Sequence, residues 1–207
     1  MSERLGIFGG TFDPIHNAHV VAALAARHSL RLDLVLMVVA GDPWQKRDRN
    51  LTPAAVRLEM VQCACEGIDG LEASDLEVRR EGPTYTIDTV LQLARPHREI
   101  VIVLGTDAAR RLSTWHRIDD LRAMVDFAVV SRSTGAADAD GGVSRMPFDD
   151  GDSLFNVDIP KLDISSSDIR SRVADGVPID GLVPTAVVHL IRSNDLYTFG
   201  RADRLQS

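Results

Sequence analysis

Six short apolar runs, one of them alternating in part with polar residues, are separated along the chain by longer segments in which apolar residues recur every three or four positions. Short apolar runs are typical of strands buried on both faces of a parallel sheet, and the periodic segments are typical of helices. The predicted strands occupy residues 5–8, 33–39, 71–78, 100–104, 127–130 and 154–157. The predicted helices occupy residues 18–29, 53–66, 88–94, 165–174 and 182–197.

This order of elements predicts an α/β fold of the doubly wound, Rossmann-like kind, with five or six mostly parallel strands. The length of 207 residues and the hydrophobic content of 44% suit a single domain over residues 1–207, with a small C-terminal helical part over residues 160–198. Residues 133–153 interrupt the pattern because they are rich in Gly, Ala, Asp and Ser. We expect them to form a surface loop without a chemical role.

Charge and apolar content exclude several classes of function. The net charge of −7 argues against non-specific binding to nucleic acid or to a membrane surface. No apolar run approaches the roughly 20 residues of a membrane span, and the N-terminus leads into a strand instead of a signal peptide, so we expect a cytoplasmic protein. The two cysteines, Cys63 and Cys65, lie on different faces of a predicted helix. This spacing favours buried free thiols over a metal or redox site.

The segment from Gly9 to His19 joins the first predicted strand to the first predicted helix and is the strongest candidate for a functional site. Gly9 and Gly10 let the backbone approach a ligand closely, while the first N–H groups of the following helix point outward without partners. Such a turn is an anion site. His16 and His19, at spacing i and i+3, are expected to project from one face into the same volume.

A second anion site is predicted where Ile164, Ser165 and Ser166 precede a helix that carries Arg170 one turn in. The serine hydroxyls and the helix N–H groups can bind an anion, and Arg170 supplies charge. The structural alternative for this segment is an ordinary capped helix.

Further candidates lie where other strands end, each with a structural alternative. Residues 40–50 form a loop with three cations, which is either a solvated surface or a ligand-binding edge. Thr84, Tyr85 and Thr86 form a hydroxyl-rich turn that is either a plain helix cap or part of a site. The same choice applies to Asp107, which follows Gly105 at the end of a buried strand. Trp115 is flanked by polar residues, which indicates a position near the surface.

The sequence Gly-Gly-Thr-Phe-Asp-Pro-Ile-His-x-x-His resembles the signature of the nicotinate (or nicotinamide) mononucleotide adenylyltransferases, within the H-x-G-H nucleotidyltransferase superfamily. The late Ile-Ser-Ser-Ser-Asp-Ile-Arg segment resembles the superfamily's Ile-Ser-Ser-Thr-x-Ile-Arg, with Ser167 in place of Thr. The resemblance extends over residues 4–198. It implies transfer of AMP from ATP to nicotinate mononucleotide, which gives deamido-NAD and pyrophosphate, with Mg²⁺ delivered by ATP.

The resemblance also assigns roles to residues. It implies that charge on the reacting phosphates is met by four residues, His16, His19, Lys46 and Arg170. It implies ATP contacts at Gly9, Gly10, Thr11, Phe12, His16, His19, Gly105, Asp107, Arg132, Ile164, Ser165, Ser166 and Arg170. It implies mononucleotide contacts at Thr11, Ala40, Thr84, Tyr85, Thr86, Trp115 and His116. No residue is assigned to a resident metal, and a homo-oligomer is left open.

The chain departs from the family pattern at three positions. Ala18 stands where relatives usually carry Gly, Ala40 where they tend to carry Ser or Asn, and Asp42 adds a negative charge nearby. These departures bear on substrate affinity and identity and leave the ATP-binding set untouched. The choice between nicotinate and nicotinamide mononucleotide stays open.

Three other functions stay open beside this one. A sister enzyme could use another phosphate acceptor such as phosphopantetheine, although Thr86 and Trp115 suit a pyridine ring with a carboxylate. A metal-dependent hydrolase could use Asp13, His16 and His19, and a non-catalytic nucleotide sensor would share the ATP motifs.

Overall fold

A computed structural model describes residues 2–42, 51–132, 144–147 and 153–198, and within these ranges the chain forms one seven-stranded sheet with helices on both faces. The strands run in the order β3-β2-β1-β4-β5-β7-β6 across the sheet. They are β1 (Glu3–Gly10), β2 (Leu34–Val39), β3 (Leu71–Ser74), β4 (Arg98–Gly105), β5 (Asp126–Arg132), β6 (Ser144–Pro147) and β7 (Ser153–Ile159). The helices are α1 (Asn17–Ser29), α2 (Ala54–Cys65), α3 (Thr86–Leu93), α4 (Thr106–Ala109), α5 (Ile118–Met124), α6 (Ser166–Ala174) and α7 (Thr185–Ser193).

An inner strand of the sheet, β1, pairs in parallel with β2 on one side and with β4 on the other. Ile7 faces Leu36 of β2 and Ile102 of β4 in these two ladders. The strand order therefore reverses direction at the β1–β4 boundary, which opens a crevice at the carboxyl ends of these strands. Both predicted anion motifs are held beside this crevice.

Two apolar layers cover the sheet because successive side chains of a strand point to opposite faces. On one face Val101 and Val103 of β4 pack with buried residues of α1, α2 and α7. On the other face Ile102 and Leu104 pack with Ile87 of α3 and with residues of the 112–121 region. Burial on both faces explains why the strands read as nearly continuous apolar runs.

The structure confirms the doubly wound, mostly parallel fold, with six strands in parallel. It corrects the prediction for residues 133–153, since β6 lies inside the predicted loop and β7 begins at Ser153. β6 pairs antiparallel with β7, with Arg145 opposite Phe155. Main-chain pairing at a sheet edge, and not an apolar run, forms this strand, so the hydrophobic pattern could not indicate it.

Several element boundaries also differ from the prediction. β3 ends at Ser74, because residues 75–80 turn away from the sheet. Pro53 is the N-cap of α2, so this helix begins at Ala54, one residue later than predicted, and α7 begins only at Thr185, after Pro184. α4, α5 and a 3-10 turn at Leu112–Thr114 had not been predicted, since such short segments show no helical periodicity. Within the described ranges, no helix combines the length and apolarity that a bilayer span requires.

The seating of α6 against the core can be tested at Ile169, whose side chain is 0% exposed. We expect Ile169→Ala to lower the free energy of unfolding by about 2–5 kcal/mol, because it leaves a cavity under the helix. The matched control is Val177→Ala, since Val177 is 43% exposed and should change stability by less than about 0.5 kcal/mol. Urea denaturation measures both values, and equal values for the two variants would contradict this packing.

Candidate functional site

The opening motif leaves the sheet at Gly10 and turns sharply into α1. Phe12 adopts a positive φ of 49° and its side chain is buried, with 3% exposed. The Asp13–Pro14 peptide bond is cis, and the carboxylate of Asp13 is also buried. His16 is the N-cap of α1. The predicted strand, turn and helix start are therefore present, and the turn is packed from within by its own side chains.

The two histidines of the motif stack on each other. Their ring centroids lie 3.6 Å apart and the planes are inclined by 14°. The backbone N–H of His16 donates to Nδ1 of His19 at 3.3 Å. Because Nδ1 accepts this hydrogen bond, it carries no proton, and the N–H donor of the His19 ring is at Nε2. Phe12 meets the His19 ring edge-on at 5.1 Å and fixes its orientation from the other side.

The late serine-rich motif docks directly onto this turn. Ser166 Oγ donates to the carbonyl of Pro14 at 2.8 Å, and Arg170 Nη1 donates to the carbonyl of Asp13 at 2.6 Å. The hydroxyl of Ser165 caps α6 by accepting the N–H of Asp168 at 3.1 Å. The structure thus brings together two segments that lie more than 150 positions apart. The serine-rich segment is therefore a capped helix, and it also contacts the opening motif.

This contact concentrates positive potential at one place. The N-termini of α1 and α6 both lie here, and each carries the partial positive charge of a helix N-terminus. Arg170 adds a full charge and uses a second N–H to hold Ser167 Oγ at 3.2 Å. Lys46 and its neighbours Arg47 and Arg49 lie outside the described residues. The resulting surface suits an anion, in a protein whose net charge is −7.

The two glycines of the motif have different surroundings. A Cβ added at Gly9 would meet nothing within 4 Å, so the space beside Gly9 is open. A Cβ at Gly10 would lie 2.6 Å from the ring of Phe12. Gly10 therefore admits an aromatic ring, while Gly9 leaves room for a ligand. Thr11, between Gly10 and Phe12, is half-buried.

The residues predicted to hold the mononucleotide lie along the same edge of the sheet. The backbone N–H of Ala40 donates to the carbonyl of Gly10 at 2.9 Å, which places residue 40 beside the opening motif. Thr84, 8% exposed, donates to the carbonyl of Asp42 at 3.5 Å. The structure thus joins the 40–42 and 84–86 segments to the turn.

An aromatic pair extends this group of segments. Tyr85 caps α3, and its ring lies 4.3 Å from that of His116. Trp115 is half-buried against the same apolar layer as Tyr85, as its polar flanks predicted. Thr86 is the first residue of α3 and is half-buried.

The remaining predicted ATP contacts are positioned as follows. Gly105 ends β4 and Asp107, in the first turn of α4, is exposed. The cap interpretation of Asp107 is not supported, since Gly105 occupies the N-cap position. Ile164 packs against the first apolar layer before α6. Arg132 ends β5, and its side chain lies outside the described part of the chain.

Three ionisable groups near the site were missed by sequence reasoning: Arg57, which is buried, and Glu77 and Tyr197, which are half-buried. Burial lowers the pKa of Arg57, and the nearby charge of Asp13 partly opposes this change. Burial raises the pKa of Glu77, although a hydrogen bond from Thr89 favours its charged form. Burial and donation to Asp13 raise the pKa of Tyr197. Only Arg57 left a signal in the sequence, because it lies on the apolar face of α2.

The donor sets for a metal are poor in this region. Among the described residues, no group of three His, Cys, Asp or Glu side chains is arranged to hold a metal ion. Asp13 accepts the Tyr197 hydroxyl at 2.6 Å and the Thr52 N–H at 3.4 Å, so both carboxylate oxygens have partners. Burial raises the pKa of the Cys65 thiol to about 11, which keeps it protonated at neutral pH.

The open space beside Gly9 leads to a prediction. Gly9→Ala should fold with a free energy of unfolding within about 1 kcal/mol of the parent protein, because its φ is not in the positive range and its Cβ meets nothing. The added methyl occupies the space predicted for a phosphate, so ATP affinity should fall about tenfold or more. Isothermal titration calorimetry with ATP measures this affinity, and an unchanged value would show that Gly9 does not line the ATP site.

Gly41→Ala is the matched control for that variant. A Cβ at Gly41 would lie 2.1 Å from the backbone carbonyl oxygen of Glu77, so the main chain must move. We expect a loss of about 1–3 kcal/mol in stability, in contrast to Gly9→Ala.

Comparison with known proteins agrees with this geometry. Residues 7–172 match the cytidylyltransferase-like family. A protein of Corynebacterium kroppenstedtii named a probable nicotinate-nucleotide adenylyltransferase is 39% identical over 196 residues, which are 94% of this chain and 90% of that one. A protein of the same name from Leifsonia xyli is 40% identical, with 94% of each chain covered.

Solved structures share the fold. The Plasmodium falciparum nicotinic acid mononucleotide adenylyltransferase complexed with NaAD superposes with a TM-score of 0.70 at 21% identity, over 95% of this chain and 98% of that one. The same enzyme complexed with APC gives a TM-score of 0.71 at 20% identity, over 95% and 98%. By its sequence relatives and its matching domain, the chain belongs to the nicotinate-nucleotide adenylyltransferase family, within the cytidylyltransferase-like family.

Proposed function

We infer that this protein transfers the adenylyl group of ATP to nicotinate mononucleotide, which yields deamido-NAD and pyrophosphate. The observation that carries this inference is the docking of the late serine-rich helix on the opening motif, through Arg170 and Ser166. It places two helix N-termini and a guanidinium around the turn that carries the stacked histidines. The relatives at 39% and 40% identity bear the name of this activity.

The proposed reaction requires no nucleophile from the protein. An oxygen of the mononucleotide 5′-phosphate attacks the α-phosphorus of ATP in line, a new P–O bond forms, and the bond to the bridging oxygen of pyrophosphate breaks. The attacking phosphate is already an anion, so the protein must align two polyanions and stabilise the charge that develops. Mg²⁺ enters as part of the ATP substrate.

The residues of the site fit these tasks. His19 offers an Nε2–H that is held in place by its Nδ1 contact and by Phe12. Arg170 and the N-termini of α1 and α6 supply donors and positive charge for the phosphates. Lys46 is proposed as a further cation on the leaving pyrophosphate, by family resemblance. Hydrogen bonds to charged groups contribute about 1.5–3 kcal/mol each, so several that strengthen in the transition state account for a large acceleration.

The acceptor is proposed to lie against the aromatic group at the neighbouring strand ends. Trp115 offers a face for the pyridine ring, and the backbone of His116 together with Thr86 offers donors to the nicotinate carboxylate. The Tyr85–His116 contact at 4.3 Å holds these segments together. Ala40 lies next to the opening motif through Gly10, which suits a position near the acceptor phosphate.

The alternatives fit less well. A metal-dependent hydrolase would need the carboxylate of Asp13, which accepts hydrogen bonds from Tyr197 and Thr52 instead. With a different acceptor such as phosphopantetheine, the aromatic pair Tyr85 and His116 would have no pyridine ring to position. A non-catalytic sensor would need only the ATP motifs and not the acceptor segments.

A direct assay separates these functions. The full-length protein is incubated with ATP and Mg²⁺ together with nicotinate mononucleotide, nicotinamide mononucleotide or phosphopantetheine, and pyrophosphate release is measured for each. We expect the highest kcat/KM with nicotinate mononucleotide and deamido-NAD as the product. Release with phosphopantetheine alone would support the sister enzyme, and binding of ATP without release from any acceptor would support the sensor.

The role of His19 has its own test. We expect His19→Ala to lower kcat by at least about 100-fold, because it removes a donor to the developing charge. Thermal unfolding should show an intact fold. The control is His28→Ala, since His28 lies in the last turn of the same helix and is exposed. That variant should keep parental turnover, and near-normal turnover of His19→Ala would refute the assigned role.

A further inference from the structure

Arg57 is a charged side chain in the interior, and none of the roles assigned above includes it. It is 1% exposed and lies on the face of α2 that also buries Met60 and Val61. Removing a guanidinium from water costs several kcal/mol unless hydrogen bonds and an opposite charge compensate for it. The hydrogen bonds and the opposite charge that compensate for burial therefore indicate the role of this side chain.

The guanidinium of Arg57 binds three main-chain carbonyls from three different segments. Nη1 donates to Thr11 at 2.7 Å, Nε donates to Thr52 at 2.8 Å, and Nη2 donates to Gly41 at 3.3 Å. The fixed, planar fork of arginine suits this arrangement, since its five N–H donors point outward in set directions. A lysine ammonium has the same charge but no such fork.

These three carbonyls mark the base of the candidate site. Thr11 belongs to the anion-binding turn after β1, Gly41 follows the end of β2, and Thr52 precedes α2. One side chain thus joins the chain at the carboxyl ends of two central strands to the start of the next helix. Because the acceptors are carbonyls, the contacts fix the backbone path itself.

Tyr197 holds the same region from the other end of the chain. Its hydroxyl donates to Oδ1 of Asp13 at 2.6 Å, across 184 positions of sequence. Oδ2 of Asp13 accepts the N–H of Thr52 at 3.4 Å, so Thr52 is tied to Asp13 by its N–H and to Arg57 by its carbonyl. The negative charge of Asp13 also offsets the positive charge of Arg57. The raised pKa of Tyr197 keeps its hydroxyl protonated as a donor at neutral pH.

We propose that Arg57 and Tyr197 are positioning residues for the transfer reaction, which hold residues 11–13 from behind so that the histidines and Arg170 meet the phosphates in register. Neither side chain needs to touch a substrate. The carbonyl of Asp13 accepts Arg170 Nη1, so a displaced Asp13 displaces that guanidinium as well. This proposal rests on the function proposed above.

The expected kinetic signature follows from this placement. A loosened turn can still collect ATP through charge, whereas the transition state requires in-line alignment. Loss of a positioning residue should therefore lower kcat much more than it raises KM. A residue that supports only the fold would lower the amount of active protein and leave the kinetics of the folded fraction unchanged.

The test uses Arg57→Lys and Tyr197→Phe, with Arg98→Lys as the control. Arg98 also has a buried guanidinium, with 8% of the side chain exposed, which donates to the carbonyl of Leu93 and pairs with Glu3. It begins β4, at the opposite end of the sheet from the site. Arg98→Lys is therefore the same substitution of a buried arginine as Arg57→Lys, but it lies away from the site.

Kinetics, unfolding and amide hydrogen exchange are measured on the full-length proteins. For Arg57→Lys we expect kcat to fall about 100-fold, with both KM values within about threefold of the parent. For Tyr197→Phe we expect a fall of about tenfold in kcat. In both variants amide exchange should quicken at residues 9–13 and at Thr52, whose N–H binds Asp13. Arg98→Lys should leave kcat and the exchange of these amides unchanged.

When all variants fold and the parent protein is active, either of two outcomes would overturn the proposal. One is parental kcat in folded Arg57→Lys, and the other is an equal loss of kcat in Arg98→Lys. If Arg57→Lys does not fold, Tyr197→Phe decides alone, because it removes a single oxygen: a selective fall in kcat supports the proposal and parental kcat overturns it. If the parent protein transfers no AMP, the proposed function fails separately. Quickened exchange at residues 9–13 then still supports the positioning role, and unchanged exchange overturns it.

Discussion

The candidate site depends on a contact between a guanidinium and a main-chain carbonyl, Arg170 Nη1 to Asp13 at 2.6 Å. Ser166 repeats the contact at Pro14, one residue along, so the start of α6 is fixed to the backbone of the opening turn. Ile169, between these two polar residues and fully buried, anchors the same helix in the core. The late motif thus supplies donors to two carbonyls of the opening turn, and these contacts bring the two anion motifs to one place.

Arginine side chains have two roles at the candidate site: they order the backbone, and they supply positive charge. Arg57 donates to the carbonyl of Thr11 and Arg170 donates to the carbonyl of Asp13, which orders the backbone, and the buried carboxylate of Asp13 offsets the charge of Arg57. Arg170 still presents its charge beside two helix N-termini. A site built in this way has its dipoles in position before substrate arrives, so little reorganisation is needed as charge moves from ATP to pyrophosphate. On the proposed assignment, this arrangement gives a chain with a net charge of −7 a local positive surface for two polyanions.

Periodicity and motifs predicted the sheet and the meeting of the two anion segments, because both have strong local signals. Apolar runs such as 100–104 indicated central strands, and family resemblance indicated the late helix as a partner of the opening turn. The strand at 144–147 escaped prediction because main-chain pairing, which leaves no hydrophobic pattern, forms it. The sequence also does not show that Gly10 faces Phe12 while Gly9 faces open space, since this difference arises from the positive φ of Phe12.

Tertiary contacts of single polar side chains were the hardest to foresee. An arginine on the apolar face of α2 is visible in the sequence, but its three carbonyl partners come from residues 11, 41 and 52 and can be known only from the fold. For Tyr197 the partner is 184 positions away. Such contacts have no sequence period, so neither helix nor strand patterns report them.

The departures from the family pattern become understandable once backbone and side-chain roles are separated. Residue 40 contributes its N–H to the carbonyl of Gly10, and residue 42 contributes its carbonyl to the hydroxyl of Thr84. Any residue other than proline can make the first contact, and any residue can make the second, so Ala40 and Asp42 preserve the path of the chain at the end of β2. What they change is the chemistry of their side chains on the acceptor side of the crevice. On the proposed assignment, Ala40 and Asp42 should act mainly on the affinity and identity of the acceptor, whereas Ala18 is buried within the opening motif on the ATP side.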